Sequence, residues 1–301
     1  MSIPAYLKKG DKIAILCPAS YINKDVDLSP AYDILRSWGL QPVIYDSVSA
    51  QHHQFAGTDE LRAADLQHAI DDPEIKAIIA GRGGYGCVRI LDKVNFNNFK
   101  KSPKWLVGFS DITALHAHIY SSYQIPTIHG QMVKSFLDAS EESLLTLKNA
   151  LFGNSIDLTY EQSIYNNRSG ECKGILVGGN LSILHSVIAS PSDFDYDGKI
   201  LFIEDVSESH YNIDRMLWTL KRAGKLNNLK GLIVGGFTEL NDSNPPFGQR
   251  FEDIIMDKVN EYDYPVAFHY PAGHIDDNRA LVFGKKVQLS IANNQVTLTY
   301  L

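Results

Sequence analysis

The run Trp105-Leu-Val-Gly-Phe-Ser-Asp-Ile-Thr113 sets a serine where an apolar, strand-like segment stops and a helix-like one begins. A hydroxyl at a sharp strand-to-helix turn is lifted off the sheet, with the backbone N–H groups of the new helix beside it. That geometry suits a nucleophile whose oxyanion is caught by main-chain donors. Gly108-Phe-Ser-Asp lacks the second glycine of GxSxG, and Ser and Asp are also the usual helix caps. The turn alone therefore leaves both roles open for Ser110.

A nucleophilic serine needs a base, an acid to orient the base, and a second oxyanion donor. Gly81-Arg-Gly-Gly-Tyr-Gly86 follows a strand, and its glycines permit close backbone approach and N–H groups aimed at an anion. A phosphate loop is the rival role, although the spacing is neither GxxxxGK[ST] nor GxGxxG. Glu204 and Asp205 end an apolar strand, where a carboxylate must meet a cation or a donor. Asp214-Arg215, on the next helix, reads as a structural ion pair. His274 sits in the turn-rich Pro271-Ala-Gly-His-Ile-Asp-Asp-Asn278 and can reach into a cleft. His116 and His118 lie on a helix running away from Ser110, His129 precedes Gly130, and His52-His53 lacks acids at metal-ligand spacing. Ser110, Glu204 and His274 would form a triad in the chain order Ser…Glu…His, one of several trios the chemistry allows.

The elements that must position these groups come from hydrophobic periodicity. Lys12–Cys17, Gln41–Tyr45, Ile75–Ala80 and Trp105–Gly108 read as strands; Ser29–Trp38, Thr58–Ile70 and the segment from Gly86 to about Leu91 read as helices. Ser29 is a candidate cap with Pro30 behind it, Gly39 a stop, and Thr58 a second cap. This βα alternation implies a parallel sheet covered on both faces, with ligands at the carboxyl ends of its strands. Beyond Leu151 the texture changes. Cys172–Val177, Lys199–Ile203 and Gly231–Gly235 read as strands, Ile213–Ala223 as a helix, and Lys286–Tyr300 as a hairpin turning at Asn293-Asn294. Two domains are expected, 1–152 and 170–301, joined by a polar linker over 153–169.

The chain has 301 residues, 44% hydrophobic and 21% charged, an ordinary globular composition. A net charge of −7 speaks against a nucleic-acid binder, whose phosphate contacts need a basic face. Three scattered cysteines without a CxxC pair indicate a reducing compartment, with neither a disulfide framework nor a zinc site. The N-terminal residues lack a signal-peptide core, and no apolar run reaches the roughly 20 residues of a membrane helix. A cytoplasmic protein is expected, with no metal and no membrane partner.

Taken together, several motifs resemble the serine LD-carboxypeptidases (muramoyltetrapeptide carboxypeptidases). They are Gly-Arg-Gly-Gly-Tyr-Gly (81–86), Val-Gly-Phe-Ser-Asp-Ile-Thr-Ala-Leu (107–115), Ile-His-Gly (128–130) and Leu-Val-Gly-Gly-Asn-Leu (176–181). Phe-Ile-Glu-Asp-Val-Ser-Glu (202–208), Tyr211, Asp214-Arg215-Met216-Leu217 and Pro-Ala-Gly-His (271–274) complete the series, in order over nearly the whole chain. The resemblance implies a flavodoxin-like N-terminal α/β domain, a β-rich swivelling C-terminal α/β domain and a homodimer. It implies Ser110 as nucleophile, Glu204 as orienting acid, His274 as base, and the N–H groups of Gly84 and Asp111 as oxyanion donors, without any cofactor. The implied reaction removes terminal D-alanine from a cytoplasmic murein tetrapeptide at an L-to-D bond.

The chain departs from the family pattern around the base loop and the pocket wall. Ile275-Asp-Asp-Asn follows His274 where a glycine is usual, Leu281-Val-Phe-Gly284 replaces Leu-Pro-x-Gly, and His129-Gly-Gln131 replaces His-Gly-Pro. These changes bear on substrate choice, and a related branch, the microcin C immunity peptidases, cleaves aminoacyl-nucleotide conjugates with the same machinery. A non-enzymatic nucleotide or anion binder built on Gly81–Gly86 is the alternative of another class. A carboxypeptidase must hold a free carboxylate, and Arg82 in the glycine loop is the candidate cation.

Overall fold

The computed structural model describes residues 2–161, 165, 167–292 and 294–301. Its first half alternates β1 (Lys12–Leu16), α1 (Ser29–Ser37), β2 (Gln41–Ile44), α2 (Asp59–Asp71), β3 (Ile75–Ala80), α3 (Asn97–Lys101), β4 (Trp105–Gly108), α4 (Thr113–Tyr123), β5 (Thr127–His129) and α5 (Glu141–Phe152). There follow β6 (Leu158–Glu161), β7 (Gly170–Asn180), α6 (Leu181–Ser186), β8 (Lys199–Val206), α7 (His210–Arg222), β9 (Gly231–Thr238) and α8 (Phe251–Val259). The chain closes with β10 (Val266–Ala267), β11 (Leu281–Phe283), β12 (Lys286–Ala292) and β13 (Gln295–Tyr300).

Among the described residues the strands form two sheets. In the first, β2-β1-β3-β4-β5 run parallel, the flavodoxin-like strand order expected from the βα alternation. Alternate residues of each strand face opposite layers. Ile13 and Ile15 pack with Leu35, Trp105 and Val107, while Ala14 and Leu16 pack with Leu66, Ile70 and Leu106. The second sheet is mixed, in the order β10-β9-β8-β7-β12-β13-β6, with β7 to β10 parallel and the remainder antiparallel. Here Leu201 and Ile203 face the layer of α7 and α8, and Ile200 and Phe202 face the opposite core.

The sheets do not divide the chain where its composition does. β11 pairs antiparallel with β5, so a strand from the second half closes the first sheet. β6, inside the expected linker, is the edge strand of the second sheet, and the linker's residues 162–164 and 166 lie outside the described residues. The hairpin β12–β13 forms as read; its expected turn residue Asn293 also lies outside them.

Local signals explain most element ends. Thr58 Oγ1 accepts from Leu61 N–H (3.2 Å) to cap α2, and Ser140 Oγ accepts from Ser143 N–H (3.1 Å) to cap α5. Ser29 is the first residue of α1 rather than its cap, because Asp27 Oδ1 takes the Ser29 N–H at 2.9 Å. The helix expected after Gly86 is instead two short 3-10 turns, Cys87–Arg89 and Leu91–Lys93, with the Cys87 N–H held by the Asp111 carboxylate.

Arg62 on α2 is fully buried and ties loops at two strand ends together. It donates to Pro18 O (2.5 Å) after β1 and to Gly86 O (3.0 Å) after β3, and it pairs with Asp59, which also meets Arg89 at 2.8 Å. Arg62→Ala leaves the buried Pro18 carbonyl without a donor, takes one of two donors from Gly86 O and unpairs Asp59, and is expected to remove about 3 kcal/mol of stability. Arg89→Ala, which takes an exposed cation from the same carboxylate, should remove less than about 1 kcal/mol. Urea unfolding of the two variants beside the parent protein tests the ranking, and equal losses would refute it.

Candidate active site

β4 is buried along its whole length and ends at Gly108. Ser110 follows with φ +63°, a left-handed conformation that costs a non-glycine residue about 1–3 kcal/mol. It opens a 3-10 turn, Ser110–Ile112, that runs directly into α4. Three contacts fasten this elbow. The buried Asp111 carboxylate accepts from Cys87 N–H at 2.8 Å, and burial raises its pKa against that bond. His116 Nε2 donates to Gly108 O at 2.9 Å; burial lowers its pKa to about 4, so the ring is neutral. Thr113 Oγ1 accepts from the N–H of Asn180, at the end of β7, at 3.0 Å.

The glycine loop passes beside the elbow. Gly84 has φ +104°, and a Cβ there would lie 2.3 Å from Ser20 Oγ, so this position requires glycine twice over. Ser20 in turn shapes the loop: its N–H donates to Gly83 O (3.1 Å) and its Oγ accepts from Tyr85 N–H (3.1 Å).

The second sheet supplies the acid and the imidazole. Glu204 and Asp205 are consecutive on β8, where its register with β9 shifts, and their side chains meet different partners. Asp205 turns towards α6, accepting from Asn180 Nδ2, Ser182 N–H and Val206 N–H, each at 2.9 Å. Burial, then the charge of Glu204, raises its pKa to about 7. Glu204 is fully buried, and its Oε2 lies 2.6 Å from His274 Nδ1. A carboxylate only accepts, so Nδ1 carries the hydrogen and Nε2 is left with a free lone pair. The approach is close because residue 273 is glycine; its φ is +114°, and a Cβ there would sit 2.8 Å from Glu204 Cβ. Asn278 Oδ1 holds the Gly273 N–H at 2.9 Å, and the Phe109 ring packs edge-on to His274, centroids 4.9 Å apart.

Ser110, His274, Gly84 and Arg82 line one cavity of about 360 Å³. Among the described contacts no hydrogen bond joins Ser110 Oγ to His274, a bond that in unliganded sites commonly tightens only with substrate. A serine at a strained elbow, an imidazole oriented by a buried carboxylate and main-chain N–H groups beside them can carry out acyl transfer.

Two family models match the chain: the LD-carboxypeptidase N-terminal domain over residues 13–130 and the LD-carboxypeptidase C-terminal domain over residues 173–289. The chain belongs to the LD-carboxypeptidase family. Similar to it are a probable murein peptide carboxypeptidase of Bacillus subtilis, 33% identical over 98% of this chain and 93% of that protein, and a murein tetrapeptide carboxypeptidase of Pseudomonas aeruginosa, 30% identical over 92% of each. The crystal structure of a muramoyltetrapeptide carboxypeptidase from Oxalobacter formigenes superposes with a TM-score of 0.86 at 30% identity, over 96% of this chain and 98% of that one. The microcin C7 self-immunity protein superposes with a TM-score of 0.88 at 20% identity, over 98% and 97%, which shows the shared fold alone. The protein is thus a peptidase of the LD-carboxypeptidase family, and the non-enzymatic anion binder loses its support.

The other residues singled out in the sequence of this LD-carboxypeptidase family member have different surroundings. His118 meets Ser192 Oγ (3.1 Å), and His129 is fully buried among Phe109, Phe202 and Phe283. His52 and His53 face each other with centroids 4.6 Å apart; among the described residues no group of three or more His, Cys, Asp or Glu could hold a metal ion. Asp214 pairs with Lys258 at 2.7 Å, while Arg215 bonds to Asn212. Arg82 lines the cavity, but its Nη1 donates to Tyr21 O at 2.5 Å. Sequence reasoning missed Ser20, Thr113, Asn180 and Asn278, which hold the loops. Their signal was present only as side chains able to bond to backbone near turns.

Burial works against a charge on His274, yet the charge and hydrogen bond of Glu204 outweigh it and raise the imidazole pKa above its ordinary 6.5. A raised folded-state pKa means that the pair's contribution to stability is full below pH 6.5 and is lost as pH climbs through the folded value. Glu204→Gln should therefore lower the His274 titration midpoint, followed by NMR of the imidazole carbon-bound protons, and flatten stability across that window. An unchanged midpoint would mean that Glu204 does not set the charge of His274.

Proposed function

We propose that this protein is a serine carboxypeptidase that removes the terminal D-alanine from murein tetrapeptides by cutting an L-to-D peptide bond. The observation that carries this is the 2.6 Å bond between the buried Glu204 carboxylate and His274, set across one cavity from the strained Ser110. The murein-peptide names of relatives at 30–33% identity support the substrate class. Cleavage of aminoacyl-nucleotide conjugates has weaker support, from structures at about 20% identity that share the fold. On this reading the protein works in the cytoplasm in peptidoglycan recycling, as a homodimer, in line with the family resemblance.

In the proposed reaction His274 Nε2 takes the Ser110 hydroxyl proton as Oγ attacks the scissile carbonyl. Glu204 stabilises the imidazolium that forms and holds the ring in the required tautomer. The N–H groups of Gly84 and Asp111 receive the developing oxyanion. Collapse of the tetrahedral intermediate breaks the C–N bond, and His274 returns its proton to the amine of the departing D-alanine. Water, deprotonated by the same imidazole, then hydrolyses the acyl-enzyme and frees Ser110.

Mass spectrometry of a murein tetrapeptide incubated with the protein should show loss of one alanine residue, with D-alanine in the supernatant. Ser110→Ala and His274→Ala should lower kcat by about 10⁶-fold, and Glu204→Gln by about 10⁴-fold, with the fold retained. A Ser110→Ala protein that keeps most of the activity would rule out the covalent route.

A further inference from the structure

The cavity beside Ser110 carries a charge pattern opposite to that of the whole protein. The chain has a net charge of −7, yet this lining holds two cations, Arg82 and Lys134, and no carboxylate. The two cations are not equivalent. Arg82 donates through Nη1 to Tyr21 O at 2.5 Å and lies over the Tyr21 ring at 6.0 Å, so its guanidinium is anchored to the turn after β1. Lys134 is held by its main chain instead. Its N–H donates to Gly81 O at 3.0 Å, fixing it against the first residue of the glycine loop. The neighbouring Ser135 hydroxyl reinforces that turn, donating to Met132 O (2.8 Å) and accepting from Met132 N–H (3.0 Å). Among the described residues no carboxylate lies within 4 Å of the Lys134 ammonium, and no hydrogen-bond acceptor meets it.

A lysine of intermediate exposure whose backbone is fixed and whose ammonium has no internal partner, in the wall of a cavity that also holds Ser110, favours an anionic group of a bound molecule. The wall around it is apolar, with Phe109, Met132 and Val206, so the complementary ligand pairs one carboxylate with a small apolar side chain. We propose that Lys134 is the specificity-determining residue that binds the C-terminal carboxylate of the peptide, while Arg82 serves the shape of the glycine loop. This rests on the carboxypeptidase reading and adds to it the group that makes the enzyme an exopeptidase. A peptide that continues beyond the scissile residue, or ends in an amide, offers no charge to Lys134 and forgoes that charge-assisted contact.

The test separates binding from turnover. In a Ser110→Ala background, calorimetry gives Kd for an L-Ala-D-Glu-meso-diaminopimelate-D-Ala tetrapeptide and for the same peptide amidated at its C-terminus. Free acid should bind about 10- to 100-fold more tightly than amide, the range of one charge-assisted contact. Adding Lys134→Gln should abolish that preference, Lys134→Arg should restore part of it, and Arg82→Gln should preserve it. Fluorophosphonate labelling of Ser110 at the parent rate in the single variant Lys134→Gln shows that the site is intact. Loss of the preference with Arg82→Gln but not with Lys134→Gln overturns the assignment, as does equal binding of acid and amide by the parent background. If the preference depends on Lys134 but the unmodified protein releases no D-alanine, the hydrolase reading fails while the carboxylate site stands.

Discussion

The site depends on a carboxylate kept where no water reaches it. Glu204 is fully buried on a central strand of the second sheet, and its Oε1 has no hydrogen-bond partner among the described residues. Burying a carboxylate without a partner costs several kcal/mol. The 2.6 Å bond to His274 is what compensates it. The same bond selects the imidazole tautomer and raises its pKa, so one contact makes the acid tolerable and the base usable. Removing either partner leaves the other in an unsuitable environment, which makes the pair a single functional unit.

That pairing constrains elements far from it in sequence. The base loop must approach β8 closely enough to require glycine at 273, and it must be fixed against both halves of the molecule. Thr238 Oγ1 donates to His274 O (3.1 Å) from the second sheet, while Gln131 Nε2 donates to Asp276 O (3.1 Å) and Ser140 Oγ to Asp277 Oδ1 (2.7 Å) from the first half. Ala280 N–H donates to Thr146 Oγ1 (3.0 Å), and the chain then enters the first sheet as β11. Two of the departures from the family pattern meet here, since Gln131 and the Ile-Asp-Asp-Asn segment bond to each other. Both act on the loop that carries the base.

Much of this was legible in the sequence. Buried β-strands followed by glycine and by helical periodicity indicated the βα order, and Glu204 and Asp205 were legible as acids at the end of an apolar strand. Ser110 was identifiable as an elbow, although the left-handed backbone that distinguishes it from a helix cap was not. What stayed hidden is non-local. A three-residue strand such as β11 has no periodicity of its own, and its pairing with β5 joins residues about 150 positions apart. Ser20 acts on the backbone of the glycine loop, and Asn180 meets Asp205 and Thr113 from other segments, which composition cannot reveal. The helix expected after Gly86 failed for the same reason, since the Cys87 N–H belongs to Asp111 on the elbow.

Three buried acids lie near Ser110, and their surroundings, not their residue type, separate their roles. Asp111 fastens the glycine loop to the elbow through Cys87. Asp205 accepts from three N–H groups and links β8 to the N-terminus of α6 and to Asn180, whose own N–H bonds to Thr113 at the start of α4. Those bonds favour its charged form, but burial and the adjacent Glu204 charge work against it more strongly and bring its pKa to about 7. Two adjacent acids of one strand thus divide the work. One braces Asn180, whose N–H reaches Thr113 on the first half, and the other holds the imidazole.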